Sequence, residues 1–254
     1  MQRFCRDEHR SSTGPKTGLA RALSKLGLCS RSQGWVLIEA GRVRVNGRVV
    51  RDPETRVVPG RDRIEVDGRA VRAEAKVHLM LNKPRGLVTT ASDEQGRETV
   101  FQCLTGMALP FVAPVGRLDK ASEGLLLFTN DTAWAARIAD PESHLNKTYH
   151  AQVDCLADEA LARRLEKGVV ADGELLSAGR AGVLRQGEKN SWLEIVLDEG
   201  KNRHIRRLLG ALGISVLRLV RVAVGPLQLG ALPKGQARRL TREEIASLAP
   251  VQGP

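Results

Sequence analysis

The chain has 254 residues, 42% of them hydrophobic and 3% aromatic, with a formal net charge of +11 at neutral pH. That is enough for one or two domains with a real core, and the balance is that of a soluble globular protein. No apolar run approaches the ~18 to 20 residues of a membrane span, the first residues lack the apolar stretch of a secretory signal, and Cys5, Cys29, Cys103 and Cys155 form neither a CxxC pair nor a cluster with histidine. A cytoplasmic protein with reduced thiols, no metal and no cofactor is expected.

Residues 1–17 are polar and basic, include Ser11-Ser12-Thr13-Gly14-Pro15, and read as a flexible tail. From Gly18 a small module begins. Leu19, Leu23 and Leu26 mark one face of a short helix. Ser30 and Gln33 form a capping box for a second helix carrying Trp35, Val36 and Ile38, with Gly41 as its left-handed cap. Asn46-Gly47 between alternating apolar residues predicts a hairpin over 43–50, because a type I′ turn needs two residues with positive φ. Ile64–Val66 is a third strand, and residues 69–76 read as a linker. Residues 1–76 hold 17 Lys/Arg against 9 Asp/Glu, a net of +8, while the rest hold 23 against 20. An excess so concentrated suits a dedicated docking module for a polyanion, with Arg21, Lys25, Arg31, Arg42, Arg44 and Arg48 as phosphate contacts.

The second domain is expected over 77–254. Val77–Asn82 is an apolar strand ended by Lys83-Pro84, and Leu87–Thr90 a further short strand. Residues 91–114 are mostly connection. Gly116–Asp119 leads into the buried strand Leu125–Thr129, so Asp119 sits on a loop held against a rigid element. Alone, Asp119 is also what a surface acid in a turn looks like. A helix over Ala133–Ala139, a strand over Lys147–Val153, a helix over Leu156–Glu166 and a strand over Trp192–Leu197 follow. Tyr149, the one tyrosine, sits in the second of these; a lone tyrosine is as readily a core or rim residue. A helix with Ile205, Leu208, Leu209 and Leu212 on one face carries Arg203, Arg206 and Arg207 off that face, a strand over Val216–Val224 is crossed by Arg218 and Arg221, and a helix capped by Thr241 and Glu244 closes the chain. Many strands with few crossover helices predict an α+β fold with a mixed, mainly antiparallel sheet.

The chemistry available is that of a carboxylate, a phenol and guanidinium groups: Asp119 as nucleophile or general base, kept ionised by a neighbouring arginine, and Tyr149 to stack on a base or move a proton. At this point two resemblances enter. Ser30-Arg31-Ser32 followed by Glu39-Ala40-Gly41-Arg42-Val43-Arg44-Val45-Asn46-Gly47 resembles an S4 RNA-binding domain, with the usual basic residues ahead of Leu23 reduced to Arg21. Asn82-Lys83-Pro84, Gly116-Arg117-Leu118-Asp119 with Gly124-Leu125-Leu126 and Thr129-Asn130-Asp131, Lys147-Thr148-Tyr149, and Gly200-Lys201-Asn202-Arg203-His204-Ile205-Arg206-Arg207 resemble, in order, the motifs of the RsuA-type ribosomal RNA pseudouridine synthases. The resemblance covers nearly the whole chain from residue 18. It implies an isomerase acting on a uridine of ribosomal RNA, large-subunit RNA over small, with Asp119 catalytic, Tyr149 stacking on the base and handling protons, Arg206 paired to Asp119, and Arg117 helping to extrude the uridine, with Arg203 as a further RNA contact. Position 204 departs from the usual Gln. A monomer is expected, and a non-catalytic ribosome-assembly factor of the same fold is the competing reading.

Overall fold

A computed structural model describes residues 14–248 except Ser92 and Glu94. The tail predicted over 1–17 lies outside the described residues as far as residue 13. The chain divides after Ala75 into two compact units.

In the first unit, β1 (Thr17–Gly18) leads into α1 (Leu19–Lys25), α2 (Arg31–Glu39), β2 (Val43–Val45), β3 (Arg48–Val50), β4 (Arg56–Val57), β5 (Ile64–Val66) and β6 (Arg69–Ala70). Thr17, placed in the tail from sequence, is already paired with Val57. Leu19, Leu23, Ile38, Val43, Val57 and Ile64 form the core. Ser30 caps α2 reciprocally with Gln33, through bonds of 3.1 and 3.0 Å, which satisfies two otherwise orphaned donors. Asn46 and Gly47 take φ of 51° and 83°, as the predicted hairpin requires. Asp67 and Gly68 make a second turn of this kind, with φ of 50° and 77°, so Arg69–Ala70 pair with β5 where the sequence suggested a linker. Helix α2 buries only Gly34 and Ile38 and leaves Trp35 and Val36 exposed.

The second unit contains β7 (His78–Lys83), β8 (Ala113–Val115), β9 (Ser122–Thr129), α3 (Thr132–Ala139), β10 (Lys147–Val153), α4 (Glu159–Lys167), β11 (Val169–Ala171), β12 (Glu174–Leu176), β13 (Arg180–Gln186), β14 (Ser191–Leu197), α5 (His204–Gly210), β15 (Val216–Val224), β16 (Leu227–Gln228), β17 (Ala237–Arg239) and α6 (Arg242–Leu248). The main sheet runs β13-β14-β10-β15-β9-β7-β17, with β16 beside β15 and β8 beside β9. Only the β15–β9 pairing is parallel, so the sheet is mixed and mainly antiparallel within an α+β fold. Leu87–Thr90 does not form the expected strand. Only Val88 bridges to Thr99, and the Thr89 hydroxyl donates to the Leu118 carbonyl at 2.7 Å.

Strand β9 is buried along its whole length. Leu126 and Phe128 pack with Leu79, Leu81 and Leu104 on one face, and Leu125 and Leu127 with Trp134, Ile138 and Leu227 on the other. A strand covered on both faces reads as a continuous apolar run, as this one does. A third cluster joins β10 and β14 to α4 and α5 through Ala151, Leu193, Ile195, Leu165 and Leu208.

One lateral row ties the centre of this sheet together. Tyr149 pairs with Arg221, Arg221 with Gly124, and Gly124 with Lys83, across β10, β15, β9 and β7. Gly124 has φ +98°, and a Cβ there would lie 2.2 Å from the Arg221 carbonyl oxygen. Neither the backbone conformation nor the spacing admits a side chain. Gly124→Ala is therefore expected to lower unfolding stability by about 3 kcal/mol or more, the range of severe core overpacking combined with a strained φ, as measured by urea unfolding of the full-length protein.

Candidate active site

Asp119 lies in the short loop between β8 and β9. Gly116, at φ +72°, makes the turn, and the buried Leu118 anchors the loop through its backbone contacts with Thr89. The Asp119 carbonyl accepts from the Ser122 backbone N–H at 3.0 Å and from Lys83 Nζ at 3.1 Å. Lys83 is fully buried and spends its other two donors on the carbonyls of Ser122, at 2.8 Å, and Pro84, at 3.1 Å. An ammonium has three donors, and here all three close on backbone around the Asp119 turn. Burial drives the Lys83 pKa down to about 8, against the opposing pull of Asp119, Glu123 and Cys103. The loop is thus fixed by its backbone, and the half-buried Asp119 carboxylate needs no role in its own positioning.

Tyr149 projects from β10 between the two apolar clusters on this side of the sheet and packs against both. Its cross-strand neighbour Arg221 is 7% exposed and donates from Nε to the Leu125 carbonyl at 2.7 Å. Lys147 starts the same strand. Burial, and then the charge of Arg221, lower its pKa.

Helix α5 supplies the remaining groups. Arg203, in the left-handed region at φ 50°, turns the chain into the helix. Arg206 donates to the carbonyls of Val216, at 3.1 Å, and Ala121, at 3.3 Å, and its buried Nε has no hydrogen-bond partner. Burial and then the Arg203 charge lower its pKa, while Asp119 opposes them. The ion pair expected between Arg206 and Asp119 is not formed. The guanidinium is tied to backbone carbonyls, and the carboxylate acts on it by charge without hydrogen bonding. Arg207, one residue on, is committed elsewhere, to Asp172 and Glu174 at 2.9 Å each. His204 is 3% exposed, and burial lowers its pKa.

These groups line one cavity of about 460 Å³. Arg117, Asp119, Tyr149, Arg203 and Arg206, all singled out from the sequence, are joined there by Lys147 and Arg221. The size suits a small organic group such as a nucleobase with its sugar, and the surplus of guanidinium and ammonium groups suits phosphates on either side. Lys83, Lys147 and Arg221 were not assigned a role from sequence. Lys83 and Lys147 lay within the motifs Asn82-Lys83-Pro84 and Lys147-Thr148-Tyr149, and Arg221 was a charge crossing an apolar strand. Among the described residues no group of three His, Cys, Asp or Glu could hold a metal ion, and no helix is long and apolar enough to cross a membrane.

In the first unit the basic residues do not form one uniform face. Arg42 is paired with Asp67, and Arg44 donates to the Gly47 carbonyl at 3.2 Å. Arg48 and Lys25 are exposed, while Arg21 and Arg31 share a separate pocket with Trp35.

An aspartate loop, a strand tyrosine and a helix arginine thus converge on one cationic cavity of a size that suits a nucleotide. Residues 77–211 match the RNA pseudouridylate synthase family and residues 17–62 the S4 domain, and the chain belongs to that synthase family. It is an RNA pseudouridine synthase, an isomerase. It is 39% identical over 227 residues to an uncharacterised RNA pseudouridine synthase of Aquifex aeolicus, covering 89% of this chain and 91% of that one. It is 35% identical over 232 residues to the ribosomal large subunit pseudouridine synthase B of Bacillus subtilis, covering 91% and 94%. A crystal structure of a pseudouridylate synthase superposes with a TM-score of 0.63 at 28% identity, over 91% of this chain and 99% of that one.

Replacing Lys83 by Met removes the ammonium donor from three carbonyls around the Asp119 turn, of which the Asp119 carbonyl keeps the Ser122 N–H. Stability is expected to fall by ~1 to 3 kcal/mol, with kcat falling more than RNA affinity. The sign of the pH effect follows from the depressed pKa. Between about 8 and the ~10.4 of a free lysine the unfolded chain binds more protons than the folded one. The contribution of Lys83 to stability therefore rises with pH across that window, and Lys83→Met should flatten this slope in unfolding measurements from pH 7 to 10.

Proposed function

We propose that the protein converts a uridine of ribosomal RNA, in the large subunit, to pseudouridine, with Asp119 as the catalytic group. The observation that carries this reading is the convergence of Asp119, Tyr149 and Arg206, from three separate segments, on one cavity. The name of the Bacillus subtilis relative supports the large-subunit assignment, and a site of action in the cytoplasm accords with that substrate.

The reaction balances within the substrate. The N1–C1′ bond breaks, the released uracil turns in place, C5 bonds to C1′, the C5 proton leaves and N1 takes one up. No oxidant or group donor is needed. To reach the cavity the uridine must leave its stack, at a cost of a few kcal/mol. Tyr149 offsets part of it, since a base–aromatic contact is worth about 1–3 kcal/mol. Arg117, at the exposed lip of the cavity, occupies the vacated position or holds a flanking phosphate. Asp119 acts on the sugar side of the bond. Arg206, anchored on Val216 and Ala121, supplies positive charge beside the carboxylate without sequestering it in a bidentate pair.

Asp119→Asn is expected to reduce pseudouridine formation by at least about 10³-fold, the scale for losing a covalent or general-base group, while RNA affinity stays within about twofold. The measurement is pseudouridine mapping of ribosomal RNA with parent and variant protein. Undiminished modification would refute the assignment, and free uracil in the parent reaction would indicate a glycosylase. Tyr149→Phe keeps the stacking ring and should retain binding, whereas Tyr149→Ala should lose both binding and turnover.

A further inference from the structure

Trp35 is one of three tryptophans in the chain and stands 42% exposed on α2. Arg31 precedes it by four residues, which puts ring and guanidinium on the same helix face. Around them Arg21 of α1, Arg56 of β4 and Lys16 close a pocket whose one acidic member is Glu54. All four cations are exposed, and none forms an ion pair among the described residues. The core does not account for Trp35, because α2 faces the interior with Gly34 and Ile38. A large aromatic left open to water between uncommitted cations suits a partner that offers both a flat π-surface and negative charge. A nucleotide offers both. A base pair inside a duplex hides its faces, so the partner must be unpaired.

We infer that the pocket formed by Trp35 with Lys16, Arg21, Arg31 and Arg56 is a subsite for an unpaired nucleotide of the RNA, its base stacked on Trp35 and its phosphates held by the cations. This subsite belongs to the first unit, and the cavity of Asp119 to the second. It gives the basic module a preference for single-stranded or bulged RNA that phosphate contacts alone would not provide. It rests on RNA as the substrate and not on which uridine is modified.

The test uses full-length protein with three probes: a seven-nucleotide adenosine RNA, a blunt fully paired RNA duplex, and inorganic polyphosphate. The single strand should quench tryptophan fluorescence strongly, the duplex and polyphosphate weakly. Trp35→Ala should abolish that quench and weaken single-strand binding about tenfold, the scale of one lost stacking contact, with the salt dependence of binding unchanged. Trp35→Phe should restore most of the affinity. Arg31→Ala and Arg56→Ala should each reduce the salt slope by about 0.7, as expected for one lost phosphate contact on a single strand, while the quench at saturation remains. Because Trp35 is exposed, its variants should keep the parent unfolding curve, so a loss of affinity reads on binding. Unchanged affinity or persistent quench in Trp35→Ala overturns the proposal. So does equal quenching by the duplex, or a pocket in which only the arginine variants matter, which would make it a phosphate site alone. Asp119→Asn separates this inference from the catalytic assignment. It should keep the full Trp35 quench while losing isomerisation; failure of the quench with catalysis still dependent on Asp119 would refute the subsite alone.

Discussion

The cleft depends on how closely β9 and β15 approach at one point. Gly124 faces the Arg221 backbone with no room for a Cβ. That contact holds the one parallel pairing of the main sheet and sets the lateral row on which the site is built. Arg221 carries Tyr149 on one flank, and Gly124 carries Lys83 on the other. Lys83 in turn ties down the Asp119 turn through the carbonyls of Asp119 and Ser122. The Tyr149 ring and the Asp119 carboxylate are thus placed from the same strand contact, by rigid sheet on one side and a hydrogen-bonded loop on the other. Such support is what keeps reacting groups within a few tenths of an ångström of a working geometry.

The electrostatics follow from the same arrangement. Immediately beside Gly124, Glu123 is buried. Burial raises its pKa, but its hydrogen bonds to Arg218 and Lys234 outweigh that and hold the carboxyl below its ordinary value. That acid is consumed on its own side of the strand. On the cavity side the positive charges of Lys147, Arg206 and Arg221 are anchored on carbonyls, which leaves their charge uncancelled. A carbonyl orients a guanidinium without neutralising it, so the cavity stays cationic while its side chains stay fixed. Arg207 shows the contrast: paired to two carboxylates, it holds α5 to the β11–β12 hairpin.

Local chemistry was legible in the sequence and long-range consequences were not. The Ser30–Gln33 capping box, the Asn46-Gly47 turn and the apolar run of β9 each follow from neighbouring residues, and each formed as expected. Asp119 and Tyr149 could be singled out because their flanking motifs recur in a known order. Lys83 lies in one of those motifs, Asn82-Lys83-Pro84, but was given no role, because a lysine closing an apolar strand reads as a strand end. Its burial depends on β9 and the Asp119 loop, which come later in the chain. The expected contact of Arg206 with Asp119 also failed at this level, since spacing along α5 does not reveal that the Val216 and Ala121 carbonyls claim the guanidinium first. Thr89 turned from a strand residue into a loop anchor for the same reason. Trp35 looked like an apolar helix position until the structure showed Gly34 and Ile38 filling the interior.

The row Lys83–Gly124–Arg221–Tyr149 joins residues from four distant parts of the chain, and its last member to be synthesised belongs to β15. Contacts so separated in sequence are made only after the loop-closure entropy of the intervening chain has been overcome. The first unit, by contrast, closes its core within residues 19–64. During synthesis the basic module can therefore be complete while the reacting groups are still unassembled. The order of the chain separates the moment at which RNA can first be held from the moment at which it can first be altered.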